Sequence, residues 1–242
     1  MNNIDSVFVL GSTSEVSKEI CIELAKKGCK RFHLVSRNLE KNKDLIIKLS
    51  EYNVYISEEK NDLLKNVSLE GNFKPKIENF DLYLILSGNL GNDLKARNDS
   101  LEASKITIAN YLGILPWLNS ILTEERINKP GKLWIFSSVA GERGRPSNYH
   151  YGAAKAALTT YCEGVIARCN KKPFQIRLIK AGFIFTRLTK EKAPKFLCLS
   201  PKKIAKNLLR NPNKNGLEFL PWWWYCVMKI VRYSPLFIVE KL

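Results

Sequence analysis

Two side chains that could work on one proton stand four residues apart in this chain, Tyr151 and Lys155. On a helix that spacing puts them on one face, a turn apart. A phenol with its ordinary pKa of about 10 does little acid–base work near neutrality, and a nearby ammonium favours its ionised form. Tyr225 and Lys229 have the same spacing, so spacing alone selects nothing. Context separates the pairs. Ser138 lies 13 residues before Tyr151, where the apolar run Leu133 to Phe136 continues into Ser137-Ser138-Val139-Ala140-Gly141. In a doubly wound fold such a strand end is where side chains are presented to a ligand. After Tyr151 the sequence opens Gly152-Ala153-Ala154, small residues that let another surface come close.

A second group suits anion binding. Val7 to Leu10 is a short buried-strand run ended by Gly11, and Ser12-Thr13-Ser14-Glu15-Val16-Ser17 leads straight into a helix. Free N–H groups and the positive dipole end of that helix favour a pyrophosphate. Gly11 allows the tight turn, and the hydroxyls of Ser12, Thr13 and Ser14 can add hydrogen bonds. Glu15 and Ser17 stand where the dinucleotide pattern has its second and third glycines, so an ordinary Ser-capped turn stays open as a reading. The next strand ends Val35-Ser36-Arg37, with no acidic residue for an adenosine ribose 2′-OH. A basic residue there suits a 2′-phosphate, which favours NADP(H) over NAD, against a surface arginine at a helix start.

These residues need elements to hold them. Apolar runs predict strands at 7–10, 31–36, 54–56, 82–86, 133–136 and 176–179, alternating with helices at 14–27, 38–50, about 103–125 and 150–168. Such alternation predicts one α/β domain over 1–242, a doubly wound parallel sheet of the Rossmann type, with ligands beyond the carboxyl ends of the strands. No repeat, low-complexity linker or domain break interrupts it.

The composition bounds the partners. With 39 Lys+Arg against 23 Asp+Glu the net charge is 39 − 23 = +16. That balance fits a nucleic acid, an anionic membrane surface, a phosphorylated substrate or a plain solvated surface. The lysines are scattered and no nucleic-acid-binding signature accompanies them, so no nucleic-acid partner is expected. Six cysteines form no CxxC pair and lie at no ligand spacing from His33 or His150, so neither a metal site nor a disulfide framework is expected. No secretory signal or membrane-spanning apolar run is visible, and a cytoplasmic protein is expected.

Taken together, Gly11, Ser138, Tyr151 and Lys155 resemble the motif set of the short-chain dehydrogenase/reductase family, over at least residues 5–190. Asn110 matches the family's catalytic asparagine. Lys180-Ala181-Gly182-Phe183-Ile184-Phe185-Thr186 resembles its Pro-Gly-x-x-x-Thr motif, with Ala181 in place of proline. The resemblance implies an NADPH-dependent ketone reductase with Tyr151 as general acid, lowered in pKa by Lys155. Ser138 would orient the carbonyl, Lys155 would also hold the nicotinamide ribose, and Asn110 would anchor a proton-relay water. It places the nucleotide against Gly11 through Val16, Ser36, Arg37, Asp62, Leu63, Ser87, Gly88, Tyr151, Lys155, Gly182, Ile184 and Thr186. A homodimer or homotetramer, formed through the helices carrying Asn110 and Tyr151, is implied in the same way.

The tail, 218–242, carries Pro221-Trp222-Trp223-Trp224-Tyr225 and then apolar residues mixed with Lys229 and Arg232. As a helix it predicts an apolar stripe of Trp224, Val227, Met228 and Val231 flanked by cations. That composition suits an interfacial helix on an anionic membrane's inner face, or a helix packed on the protein or on a second copy. Glu15, Leu90-Gly91-Asn92 and the Pro-Trp…Tyr-Ser-Pro-Leu-Phe ending are similar to the branch reducing polyprenyl-phosphate-linked keto-pentoses and its surface-polysaccharide relatives. That likeness implies a keto-sugar substrate, free or lipid-linked. A lipid ketone reductase (3-oxoacyl or ketosteroid) and a non-catalytic NADP-binding scaffold are the competing expectations.

Overall fold

The computed structural model describes residues 4–68, 73–186 and 197–241. The ends of the expected 1–242 domain, residues 187–190 of the family-like stretch and the last residue of the tail lie outside them. In chain order the elements are β1 (Ser6–Leu10), α1 (Glu15–Lys26), β2 (Arg31–Ser36), α2 (Lys43–Ser50), β3 (Tyr55–Lys60) and β4 (Leu82–Ile85). Then follow α3 (Asp93–Ala96), α4 (Ser100–Asn110), α5 (Leu115–Ile121), α6 (Glu124–Ile127), β5 (Gly131–Ser138), α7 (Tyr149–Cys169) and β6 (Phe174–Ala181). The chain closes with α8 (Pro201–Arg210), β7 (Gly216–Leu220), α9 (Trp224–Tyr233) and α10 (Leu236–Val239). Among the described residues no helix is long and apolar enough to cross a membrane.

The strands form one parallel sheet in the order β3-β2-β1-β4-β5-β6-β7. Successive side chains of a strand point to opposite faces, and β5 shows the consequence. Trp134 and Phe136 bury into the core under α1, α2 and α8, while Leu133 and Ile135 bury into the core under α5 and α7. Both faces are covered, so the strands read as nearly continuous apolar runs. The order reverses between β1 and β4, which opens a crevice at their carboxyl ends.

Two departures from the sequence expectation, and a choice between its two readings of the tail, bear on function. The expected helix over about 103–125 is broken directly after Asn110, whose successor Tyr111 has φ −146° and ψ −71°. The Asn110 amide donates back to Ile106 O at 2.8 Å and outward to Asn89 O at 2.6 Å, a side-chain bonding that competes with helix continuation. A Cβ on Gly113 would sit 2.5 Å from Leu63 O, so the chain after the break runs too close to its neighbour for any larger residue.

The second departure is an added unit, α8 and β7. Buried Arg177 of β6 holds it, donating to Glu218 at 2.5 Å and to the carbonyls of Leu208 and Asn211 at 3.0 Å each, where α8 ends. The choice concerns the tail helix. Trp224 and Met228 of the expected apolar stripe are buried, and half-buried Val227 and Val231 pack with them against the domain. That stripe faces the protein.

Candidate active site

The first turn is built around Gly11. Its φ is +93°, and an added Cβ would meet the backbone of Leu86 and Ser87 at 2.8 Å, so only glycine fits. The Gly11 and Ser12 N–H groups donate to Val35 O at 2.9 and 3.2 Å, folding the turn back onto β2. Fully buried Ser12 turns its hydroxyl inward to Asn42 Oδ1 at 2.9 Å and Val35 O at 3.3 Å, so it braces the turn instead of facing the crevice. Asn42 also donates to Glu58 Oε1 at 2.8 Å and to Ser36 Oγ at 3.4 Å. This brace is a residue that sequence reasoning missed, and nothing in its polar surroundings marks it.

Ser14 caps α1 by backbone geometry, with no side-chain cap bond. Val16 is buried in the core, so only its main chain is available to a ligand. The two missing glycines are resolved differently. Ser17 is buried, and its hydroxyl donates to Gly11 O at 2.9 Å, tying the helix to the turn where a glycine would only permit close approach. Glu15 lines a groove of about 350 Å³ between α1, α2 and the start of α8, with Lys18, Asp44 and Lys202. Ser36 is buried, Arg37 is exposed at the end of β2, and half-buried Thr13 lies within the turn. Asp62 accepts from the Leu64 N–H at 3.2 Å and starts a short 3-10 turn that carries Leu63.

The catalytic candidates converge across the crevice. Ser138 ends β5, and its hydroxyl accepts from the Ala140 N–H at 3.1 Å while bonding to the Tyr151 hydroxyl. The close approach expected of the small residues is made by the turn after Ser138. A Cβ on Gly152 would lie 2.8 Å from Ala140 O, and one on Gly141 would lie 2.8 Å from Ala156 N. Ser137 continues the seam, bonding to Lys155 O at 3.1 Å and to Thr159 Oγ1 at 2.8 Å.

Lys155 is buried, with its ammonium donating to Phe136 O at 3.3 Å and lying 5.8 Å from the centre of the Tyr151 ring. The Ser87-Gly88-Asn89 turn closes the other side. A Cβ on Gly88 would come within 2.8 Å of Asn110 Oδ1 and 3.3 Å of Lys155 Nζ. Asn110 Oδ1 accepts from the Asn89 N–H at 3.2 Å, so this buried amide fixes the turn after β4. Further along, Asp93 bonds to His150 at 3.1 Å and to Arg97 at 3.3 Å, pinning α3 to the start of α7 beside Tyr151.

The electrostatics correct one expectation. Burial pushes the Tyr151 phenol up to about 12, against a smaller opposite effect from its Ser138 hydrogen bond. Burial also pushes the Lys155 ammonium down to about 8. In this structure burial sets the Tyr151 phenol, and the Lys155 ammonium, 5.8 Å from the ring centre, does not bring it below its ordinary value. The phenol is a proton donor across the neutral range.

Gly182, Ile184 and Thr186 follow β6. The Gly182 N–H donates to Leu220 O at 2.9 Å, and Ile184 bridges to Leu199. A Cβ on Gly182 would fall 1.8 Å from Trp224 Nε1, so α9 packs directly on this loop. Trp224 also meets Phe183 edge-on at 5.5 Å, stacks on Trp223 at 4.8 Å, and shares a cluster with Val139, the residue after Ser138. Packing of the tail helix on the protein was one of the two sequence readings; its contact with the catalytic strand end, through Val139, emerges only from the fold. The site therefore offers a glycine-tight turn, a buried amine with donors to spare and a protonated phenol, a donor set that fits a nicotinamide dinucleotide and a carbonyl.

Residues 5–196 match the family model described as short chain dehydrogenase. An uncharacterized oxidoreductase of Mycobacterium tuberculosis is 28% identical over 156 residues, covering 64% of this chain and 63% of the relative. The match thus spans just under two thirds of that relative's length. The 3-oxoacyl-[acyl-carrier-protein] reductase of Haemophilus influenzae is 22% identical over 188 residues, 75% of this chain and 74% of its own. Among solved structures, a candidate 2-deoxy-D-gluconate 3-dehydrogenase from Agrobacterium tumefaciens with bound NADP superposes with a TM-score of 0.74 at 15% identity, covering 91% and 96% of the two chains. An actinorhodin polyketide ketoreductase variant with NADPH gives 0.69 at 16% identity, covering 87% and 90%.

Proposed function

Because this chain belongs to the short chain dehydrogenase family, we propose that it reduces a ketone to an alcohol with NADPH, on a keto-sugar substrate. The observation that carries the reading is the convergence of Ser138, Tyr151, Lys155 and Asn110 on one crevice beside the Gly11 turn.

NADPH supplies the hydride. In the stretch from Gly11 to Val16 the Gly11, Ser12 and Ser14 N–H groups are spent within the turn, so the pyrophosphate would lie against the start of α1 with the Thr13 and Ser14 hydroxyls, and exposed Arg37 would take the 2′-phosphate beside Ser36. Asp62 and Leu63 would contact the adenine, Ser87 and Gly88 would line the nucleotide's site, and Gly182, Ile184 and Thr186 would contact the nicotinamide. Lys155 has one described hydrogen bond, to Phe136 O, so its remaining N–H groups are free for the nicotinamide ribose.

Ser138 orients the substrate carbonyl, and Tyr151 gives its proton to the oxygen as negative charge develops there. The raised phenol pKa keeps that proton in place until the transfer demands it. Lys155 and Asn110 lie on the path by which the proton is replaced. Solved neighbours with bound NADP or NADPH support the cofactor choice.

The Agrobacterium neighbour, described as acting on a sugar acid, supports the keto-sugar. In this reading the sugar is lipid-linked and serves cell-surface polysaccharide synthesis. The enzyme is then a cytoplasmic homo-oligomer working at the inner face of the membrane. One observation favours a second substrate class: Phe183 and Trp224 give the site an aromatic wall suited to an acyl chain or a steroid.

A panel of keto-sugars, 3-oxoacyl thioesters and ketosteroids, followed by NADPH absorbance, separates the two. Turnover on keto-sugars alone is the expected result. Preference for 3-oxoacyl or steroid ketones would replace the substrate, and NADPH binding without turnover on any class would leave a scaffold.

A further inference from the structure

The stripe of α9 that the sequence marks for lipid is packed on the domain, and a different face is bare. Trp222, Ile230, Tyr233, Leu236 and Phe237 are each between 63% and 77% exposed, although Trp224 and Met228 on the opposite side of the same segment are buried. On a helix Ile230 and Tyr233 lie three apart on one face, and Leu236 and Phe237 extend the patch into α10. Lys229 and Arg232 run along its flank and Lys241 ends it, against Glu240 and the largely buried Glu142, which lies 3.9 Å from Arg232. Large apolar patches of this kind mark sites of association.

We propose that this outer face of α9 together with α10 lies in the headgroup region of an anionic bilayer. Neither helix is long enough to span one, at 10 and 4 residues, so the unit rests in the plane of the interface. Charge decides between a bilayer and a second copy. A two-fold contact through this face would set the cationic flanks of two protomers, each of net charge +16, near one another. Anionic lipid meets the same cations with opposite charge.

The arrangement also orients the enzyme. The inner face of α9 packs on Val139 and Gly182, next to Ser138 and to the loop after β6. A bilayer against the outer face is therefore one helix away from the substrate side of the site. A lipid-linked substrate would then stay in the membrane and reach the carbonyl position along α9, a consequence that rests on the keto-sugar reading.

The test floats the full chain with phosphatidylcholine vesicles, with and without phosphatidylglycerol. The protein is expected to rise with the anionic vesicles roughly tenfold more than with the neutral ones. The double variant Ile230→Ser, Phe237→Ser should lose that binding at least roughly tenfold, keeping its melting temperature and its NADPH turnover on a soluble ketone. Lys229→Glu should weaken the anionic preference. Failure of the full chain to float, or equal flotation of the double variant, overturns the proposal. So does a lipid-indifferent dimer that the double variant converts to monomer, which would assign the face to a second copy. Loss of NADPH turnover in the unaltered chain would instead count against the reductase reading and leave the flotation result standing.

Discussion

Replacing Lys155 by methionine should make the free protein more stable while removing its reductase activity. Burial takes the ammonium from 10.5 to about 8, and at about 1.4 kcal/mol per pKa unit this is a cost of roughly 3 kcal/mol to the charged fold at pH 7. Methionine has no such charge, and its flexible thioether adapts to the space. It forfeits the hydrogen bond to Phe136 O, worth about 1 kcal/mol. The net expectation at pH 7 is a gain of roughly 2 kcal/mol for Lys155→Met.

The pH dependence carries the sign. Between about 8 and 10.5 the unfolded chain keeps a proton that the folded chain has released, so wild-type stability rises with pH. Above that window lysine is neutral in both states, and the variant should be less stable by about 1 kcal/mol for the lost bond. Urea unfolding of both proteins from pH 7 to pH 11 reads the crossing directly. A variant destabilised at pH 7, or a difference that does not move with pH, would refute the reasoning that burial of charge dominates this site.

Three more outcomes follow from the geometry. Gly11→Ala forces a side chain into φ +93° and against the Leu86–Ser87 backbone; it should cost roughly 1–3 kcal/mol in urea unfolding and weaken NADPH binding more than the stability loss explains. Arg37→Ala should loosen NADPH in a fluorescence titration by roughly tenfold and leave NADH nearly unchanged, since only the 2′-phosphate meets that side chain. Asn110→Ala strips the partner from the Asn89 N–H and carbonyl; kcat on any accepted ketone should fall by at least roughly tenfold, with a stability loss of about 1–3 kcal/mol.

How much of this was legible in the chain depends on what kind of signal each element leaves. Strands buried on both faces read as apolar runs, so β1, β2, β4, β5 and β6 were visible as Val7-Phe8-Val9-Leu10 and its counterparts. β7 was hidden by Glu218, a charge at a buried position that makes sense only once Arg177 is known to face it. α8 did leave a helix signal that sequence reasoning passed over: Ser200 caps it, Pro201 opens it, and Ile204, Ala205, Leu208 and Leu209 recur at helical spacing on its buried face. The helix through Asn110 read as continuous although Gly113 and Pro116 stand inside it, and Pro116 opens the new helix α5; the bond from Asn110 to Asn89, 21 residues away, could not be read from spacing.

The residues of the site were legible by type and order, and their energetics were not. Spacing alone could not reveal that Tyr151 and Lys155 are desolvated together, which reverses the expected pKa of the phenol. Nor could it tell which side of α9 faces outward. Trp224 and Met228 make as good a lipid-facing stripe on paper as Ile230 and Tyr233, and only the contacts with Val139 and Gly182 choose between them.

The central claim is that Tyr151 gives its proton to a ketone oxygen in a site that binds NADPH. Comparing NADPH consumption by the wild-type chain and by Tyr151→Phe on the best ketone of the panel, with the NADPH dissociation constant measured for both, tests it most directly. The account predicts unchanged nucleotide affinity and a rate lower by roughly 10²–10⁴-fold in the variant. Equal turnover by the two proteins would contradict it.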